Sequence, residues 1–313
     1  MKAETKDLSG SRIGIFGKGG SGKSTVTVLL ARALRKRGYE VCVVDADSTN
    51  VGLHQAIGLD QSPESLIDYF GGMVFSGGAV TCPVDDPMPL SGAKISVDEL
   101  PSRFVGRTEE GIWVVATGKM GERGPGAGCD GPMAKISRDL RVQVNGEACL
   151  TLLDFKAGFE DSARGVVVTL DQVVVVVDPT SAALQMAIDM TELIERIKGG
   201  DSPATAHLES PELVEMATRL YQQARVQNVL VVLNRVAPES SRYLRGSLET
   251  RGIHAAAAIR VDPWVAASWL IGKRLEARVA EIDIEDLVGA LEAEGSMPGE
   301  SVFNVPVHPQ VTY

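Results

Sequence analysis

The sequence predicts an α/β protein, a mainly parallel β-sheet with helices on both faces. Short, β-branched and nearly continuous apolar runs recur along the chain, as strands buried on both faces require. Stretches with helical apolar spacing alternate with those runs, which is the pattern of crossover units in a parallel sheet. The third observation is a Gly-rich loop, residues 17–25, between the first run and the first helical stretch.

Each element follows from its own residues. Arg12–Phe16 is the first strand and ends at Gly17. From Ser24 to Arg37 the residues Val26, Leu29, Leu30, Ala33 and Leu34 fall at helical spacing. Arg35, Lys36 and Arg37 close that helix where its dipole favours cations, and Gly38 ends it. Val41–Asp45 completes a strand–helix–strand unit. Ile112–Ala116, Leu150–Asp154, Val173–Val177 and Val229–Leu233 are further strands, with Ala255–Ile259 as a weaker last one. Helices are expected over Met133–Leu140, Ala182–Ile197, Pro211–Arg225, Ser240–Arg251 and Ile284–Glu294.

The 313 residues are 44% hydrophobic, enough for one large core, and a single domain over 12–295 is expected. Residues 1–11 read as a flexible start and 296–313, with three prolines, as an extended tail. Residues 71–110, rich in Gly and Pro and without periodicity, read as an irregular insertion. No apolar run approaches the ~18 residues of a membrane span, and the start has no apolar signal core, so a cytoplasmic protein is expected. A net charge of −10 disfavours non-specific nucleic-acid binding, which needs Lys and Arg to displace counterions. The four cysteines form no C-x-x-C pair. Cys42 and Cys149, at strands, read as small core residues.

Gly17, Gly22, Lys23 and Ser24 meet the phosphate-loop pattern G-x-x-x-x-G-K-[ST] between a strand and a helix. In such a loop backbone N–H groups converge on phosphate oxygens, and the helix points its positive end at them. Lys23 neutralises the β/γ-phosphates and the Ser24 hydroxyl ligates Mg²⁺. The chemistry is that of an ATP hydrolase.

The whole run Gly17-Lys18-Gly19-Gly20-Ser21-Gly22-Lys23-Ser24-Thr25 resembles the deviant Walker A motif of the family that holds MinD and ParA ATPases, the nitrogenase iron protein and metal-insertion ATPases. The resemblance implies a P-loop fold and a nucleotide-sandwich homodimer in which Lys18 reaches the partner's phosphates. It also implies that Asp45 lies near Mg²⁺ and that Asp47 orients the attacking water. The same two aspartates could instead be loop-capping residues for the helix after Ser48-Thr49-Asn50. Asp154-Phe155-Lys156-Ala157-Gly158 is similar to the family's D-x-x-A-G switch II, with Asp154 toward Mg²⁺ and Gly158 on the γ-phosphate; Lys156 departs from the expected proline or glutamate. Asn234-Arg235 resembles the pair that reads adenine, and Arg260-Val261-Asp262-Pro263 resembles P-x-D-P with arginine for the first proline.

Gly126-Ala-Gly-Cys129-Asp-Gly131-Pro132-Met133 is similar to the G-x-G-C-x-C-P-M loop of the accessory ATPases that insert nickel into carbon monoxide dehydrogenase. That resemblance implies a nickel or zinc ion, or an iron–sulfur cluster, on Cys129 at a dimer interface, and a client metalloenzyme as partner. Gly131 stands where the second cysteine would be, and Cys82 could complete a four-thiolate set across the dimer. Two alternatives stay open: an electron donor like the nitrogenase iron protein, and a MinD- or ParA-like positioning switch. The acidic stretch Ala280–Glu294 disfavours a membrane-docking helix.

Overall fold

The computed structural model describes residues 7–50, 52–118 and 130–294. Its elements begin with β1 (Arg12–Gly17), α1 (Lys23–Lys36), β2 (Val41–Asp45), α2 (Leu53–Ile57), α3 (Leu66–Tyr69), β3 (Lys94–Ser96), β4 (Gly106–Arg107) and β5 (Trp113–Ala116). Then come α4 (Gly131–Asp139), β6 (Arg141–Val144), β7 (Glu147–Ala148), β8 (Leu150–Asp154), α5 (Glu160–Ala163), β9 (Gln172–Val177) and α6 (Ser181–Lys198). The last are α7 (Pro211–Gln222), β10 (Asn228–Val236), α8 (Pro238–Glu249), β11 (Ala255–Arg260), α9 (Pro263–Ile271) and α10 (Val279–Glu294).

Eight strands form one sheet in the order β11-β10-β9-β1-β8-β2-β5-β4, with every neighbour parallel except the edge pair β4–β5. β1, β2, β8 and β9 are buried along their whole length, which explains their nearly continuous apolar sequences. The chain leaves β1 toward β2 on one side and returns through β8 to β9 on the other, so the order reverses at β1. Open α/β sheets bind ligands at such a reversal, outside the carboxyl ends of the strands. The loop after β1 is therefore placed by topology as well as by its own residues.

Each face of the sheet carries its own core. On one, Leu30 and Leu34 of α1 meet Ile284 and Leu287 of α10 over Ile13, Val43 and Leu152. On the other, Ile136 of α4 and Met190 of α6 pack over Phe16, Val44 and Leu153. A buried leucine of this kind contributes about 1.5–3 kcal/mol through area removed from water. Cys42 and Cys149 are buried as expected.

The structure revises two expectations. Of the expected flexible start, residues 7–11 are described, and Leu8 is fully buried in the α1/α10 core, with Ser11 N–H on its carbonyl at 2.9 Å. Residues 1–6 and the expected tail, 296–313, lie outside the described residues. The insertion 71–110 is irregular but packed: Val80, Ile95, Val97 and Phe104 join the core, and β3 pairs with β6, which pairs with β7 on its other side, in a three-stranded second sheet. Lys135 Nζ on α4 binds the Asp86 carbonyl at 2.6 Å and also the Met88 carbonyl, while Asp139 accepts Leu90 N–H at 2.8 Å. Buried charges on α4 thus meet the backbone of the insertion, which satisfies both.

Candidate functional site

The loop after β1 is shaped by a glycine that nothing else can replace. Gly22 turns at φ +96°, and a Cβ there would lie 2.1 Å from Asn234 Nδ2. Asn234, buried at the end of β10, donates from that nitrogen to the Ser21 carbonyl at 2.8 Å. Arg235, held in the left-handed region at φ 57°, reaches the Gly20 carbonyl at 2.5 Å and Asp178 at 3.2 Å. The Asn234-Arg235 pair, expected to read adenine, reaches the phosphate loop from β10, beyond β9 from β1, with the Asn234 amide nitrogen on the Ser21 carbonyl.

Lys23 is 8% exposed at the start of α1, while Lys18, Gly19 and Gly20 are exposed. A cleft of about 560 Å³ opens over this loop. Gly19, Gly20, Gly22, Lys23, Ser24, Thr25, Asp47, Asn234, Arg235 and Asp262 line it together. Lys18, Asp45, Asp154 and Gly158 do not line it.

The carboxylates converge beneath the cleft because β2 and β8 are neighbours in register, with Asp45 opposite Asp154. Asp154 is fully buried and accepts from Ser24 Oγ at 2.6 Å and Thr27 Oγ1 at 3.2 Å. Burial pushes its carboxyl up to about 6; Ser24, Lys23 and Thr27 pull against that, and the charge of Asp47 adds to it. A hydroxyl beside buried carboxylates is a hard-oxygen donor set, and a divalent cation bound there would add its charge to that of Lys23 beside Asp154. Among the described residues no group of three or more His, Cys, Asp or Glu is arranged to hold a metal ion. Asp45 Oδ1 accepts Asp47 N–H at 3.2 Å, and Asp47 Oδ1 accepts from Thr49 N–H at 2.9 Å and its hydroxyl at 2.6 Å. Asp47 thus caps its own loop while its side of the loop faces the cleft.

Gly158 turns at φ +93° after Asp154, and its N–H meets the Gly17 carbonyl at 3.3 Å. Lys156 pairs with Asp130 at 2.6 Å, and Asp130 also accepts from Ser48 Oγ at 3.1 Å. Cys129 lies outside the described residues.

Three contributors are absent from the sequence reading. Asn50 Nδ2 donates to Ser24 Oγ at 2.7 Å, Thr27 reaches Asp154, and Trp269 Nε1 donates to Thr25 Oγ1 at 2.8 Å. Trp269 sits on α9, placed by Asp262. The Asp262 carboxylate accepts Trp264 N–H at 3.0 Å to start α9, and Arg278, Val279 and Ala280 N–H at 2.7, 2.8 and 3.1 Å to start α10. Asp262 lines the cleft, but its oxygens are spent on two helix starts.

The sequence pattern of the CobQ/CobB/MinD/ParA nucleotide-binding domain matches residues 15–269. An ATP-binding protein of Methanocaldococcus jannaschii is 31% identical over 188 residues, 59% of this chain and 74% of that protein. The carbon monoxide dehydrogenase accessory protein CooC of Rhodospirillum rubrum is 30% identical over 184 residues, 58% of this chain and 68% of its own length. A ParA-family ATPase from Chlorobium tepidum superposes with a TM-score of 0.54, covering 90% of this chain and 99% of that one at 15% identity, a likeness of fold alone. The motif, the placement of the phosphate loop at the sheet's reversal and these matches agree: the chain belongs to the CobQ/CobB/MinD/ParA family of P-loop ATPases and is an ATP hydrolase.

Proposed function

We propose that this chain is a Mg²⁺-dependent ATPase that forms an ATP-sandwich homodimer and uses the ATP cycle to load a soft metal or metal cluster into a client metalloenzyme. Lys23 and the loop N–H groups hold the phosphates, and Ser24, Asp45 and Asp154 hold Mg²⁺. Asp47 orients the attacking water, and Lys18, exposed on the loop, is supplied to the partner's phosphates where negative charge develops.

The maturation role is carried by one observation. Gly131 occupies the second cysteine position of the C-x-C loop that this chain otherwise resembles. A Cβ at Gly131 would lie 2.7 Å from Cys82 Cβ and 2.8 Å from Cys82 Sγ. The thiol of Cys82, delivered by the insertion, thus fills the volume that a side chain at 131 would take. Cys82 and Cys129 from two protomers would together offer four thiolates, the number a tetrahedral soft-metal site needs. The similarity to CooC points the same way.

The test is anaerobic purification with metal analysis of wild type, Cys82→Ser and Cys129→Ser. About one metal per dimer in the wild type, lost in both variants, is the expected result. Iron with labile sulfide and a brown colour would favour the electron-donor reading. No metal in any of the three would overturn the maturation role and leave a positioning switch.

A further inference from the structure

Lys156 is the residue by which switch II departs from its family pattern, and the reaction as described gives it no task. Residues on both sides of it touch the phosphate loop or its cleft. Asp154 binds Ser24, Ala157 lines the cleft, and Gly158 N–H meets the Gly17 carbonyl at 3.3 Å. Its ammonium, on a side chain 29% exposed, binds Asp130 Oδ2 at 2.6 Å, and the negative charges of Glu160 and of Asp47 at the cleft also act on it.

We propose that Lys156 is a ligand of the terminal phosphate of ATP, held by Asp130 until that phosphate arrives. The terminal phosphate brings nearly two negative charges and three acceptor oxygens, against one charge on Asp130. The four-carbon stem of lysine lets its ammonium change partner while the backbone stays in place. ADP lacks the terminal phosphate and leaves the Lys156–Asp130 pair closed. ATP opens it and leaves Asp130 with Ser48 as its side-chain partner among the described residues. Asp130 immediately precedes α4, and α4 grips the insertion through Lys135, Arg138 and Asp139. The exchange therefore reports the nucleotide state to the helix that carries the Cys82 segment. The inference rests on the ATPase chemistry and is independent of any metal held by Cys82 and Cys129.

The two partners of this ion pair are predicted to have opposite effects. Equilibrium titrations with Mg²⁺-ADP and with a non-hydrolysable Mg²⁺-ATP analogue, at one low protein concentration, measure them. Lys156→Ala should weaken the analogue about tenfold and leave ADP affinity unchanged, the loss of one charge-assisted contact. Asp130→Asn should tighten the analogue about threefold by freeing the lysine, again with ADP unchanged. Lys156→Arg should restore most of the discrimination, and intact ADP binding shows that each variant is folded. A purely structural ion pair would shift both nucleotides alike, or weaken the analogue in both variants. Either outcome overturns the proposal.

Discussion

Gly22 turns at φ +96° with Asn234 Nδ2 2.1 Å from where a Cβ would stand, so the loop's curl and its clamp exclude any side chain there. Gly22→Ala should cost about 1–3 kcal/mol in strain, and because the strain falls on the phosphate cradle, ATP affinity should drop at least tenfold by calorimetric titration. Asp161, in α5 just after switch II, makes a separate prediction about pH. Burial pushes its carboxyl up to about 7; Arg164 opposes this, Asp130 adds to it, Lys156 opposes and Glu160 adds. Its Oδ2 has no hydrogen-bond partner among the described residues, so the charged form is poorly supported there. An unfolded aspartate titrates near pH 4. The folded state therefore keeps a proton that the unfolded chain releases, and stability falls as pH rises from about 4 to about 7, then levels. Asp161→Asn removes that loss, so denaturant melts should show the variant gaining on the wild type from pH 5 to pH 8; a constant difference across that range would exclude the titration. The residues of the phosphate loop were legible because they are contiguous. Asn50 and Trp269 were not, because their contacts with Ser24 and Thr25 span 26 and 244 residues.

At the scale of elements, legibility followed burial. Strands buried on both faces announce themselves as β-branched runs, and all the central ones were placed from sequence. Helix α9 was missed for the opposite reason: Trp264, Val265, Ala266, Ala267, Trp269, Leu270 and Ile271 are nearly all apolar, so no polar face sets a period. The second sheet was missed because its strands have three, four and two residues, too short for alternation to register. Asp262 shows what such blind spots conceal, since one carboxylate starts α9 and α10 together and so places Trp269 over Thr25. Burial works to raise its pKa, but the N–H groups of Arg278, Ala280, Trp264 and Val279 outweigh it and hold the carboxyl below its usual value. The stabilisation is thus present above about pH 4 and lost as pH falls below it. Asp262→Ala should cost about 2–4 kcal/mol, the sum of a lost cap and charge-assisted hydrogen bonds. It should also weaken ATP binding, because α9 carries the cleft wall. A thermal melt read beside a nucleotide titration checks both, and loss of stability with normal ATP affinity would confine Asp262 to a structural joint.

At the scale of the whole molecule, one chain gathers Lys23, Ser24 and Asp47 around a single cleft with Asp45 and Asp154 beneath it, yet leaves Lys18 exposed on the same loop. A cation outside its own cleft can serve a partner's, and two-fold symmetry then makes the service mutual. Lys18→Ala should leave nucleotide binding by the isolated protomer intact and abolish turnover, and Asp47→Asn should abolish turnover by misplacing water. Mixing the two inactive variants separates action in trans from action in cis. In a mixed dimer, the cleft of the Lys18→Ala protomer retains its own Asp47 and receives Lys18 from its partner, so that cleft is complete; the other lacks both. Random pairing makes half of the dimers mixed, each with one working cleft of two, so activity should return to about a quarter of the wild-type rate. If Lys18 acted on its own protomer's phosphates, no cleft in any pairing would be complete and the mixture would stay inactive. The measurement is phosphate release against mixing ratio at fixed total protein, with a maximum expected at equal amounts.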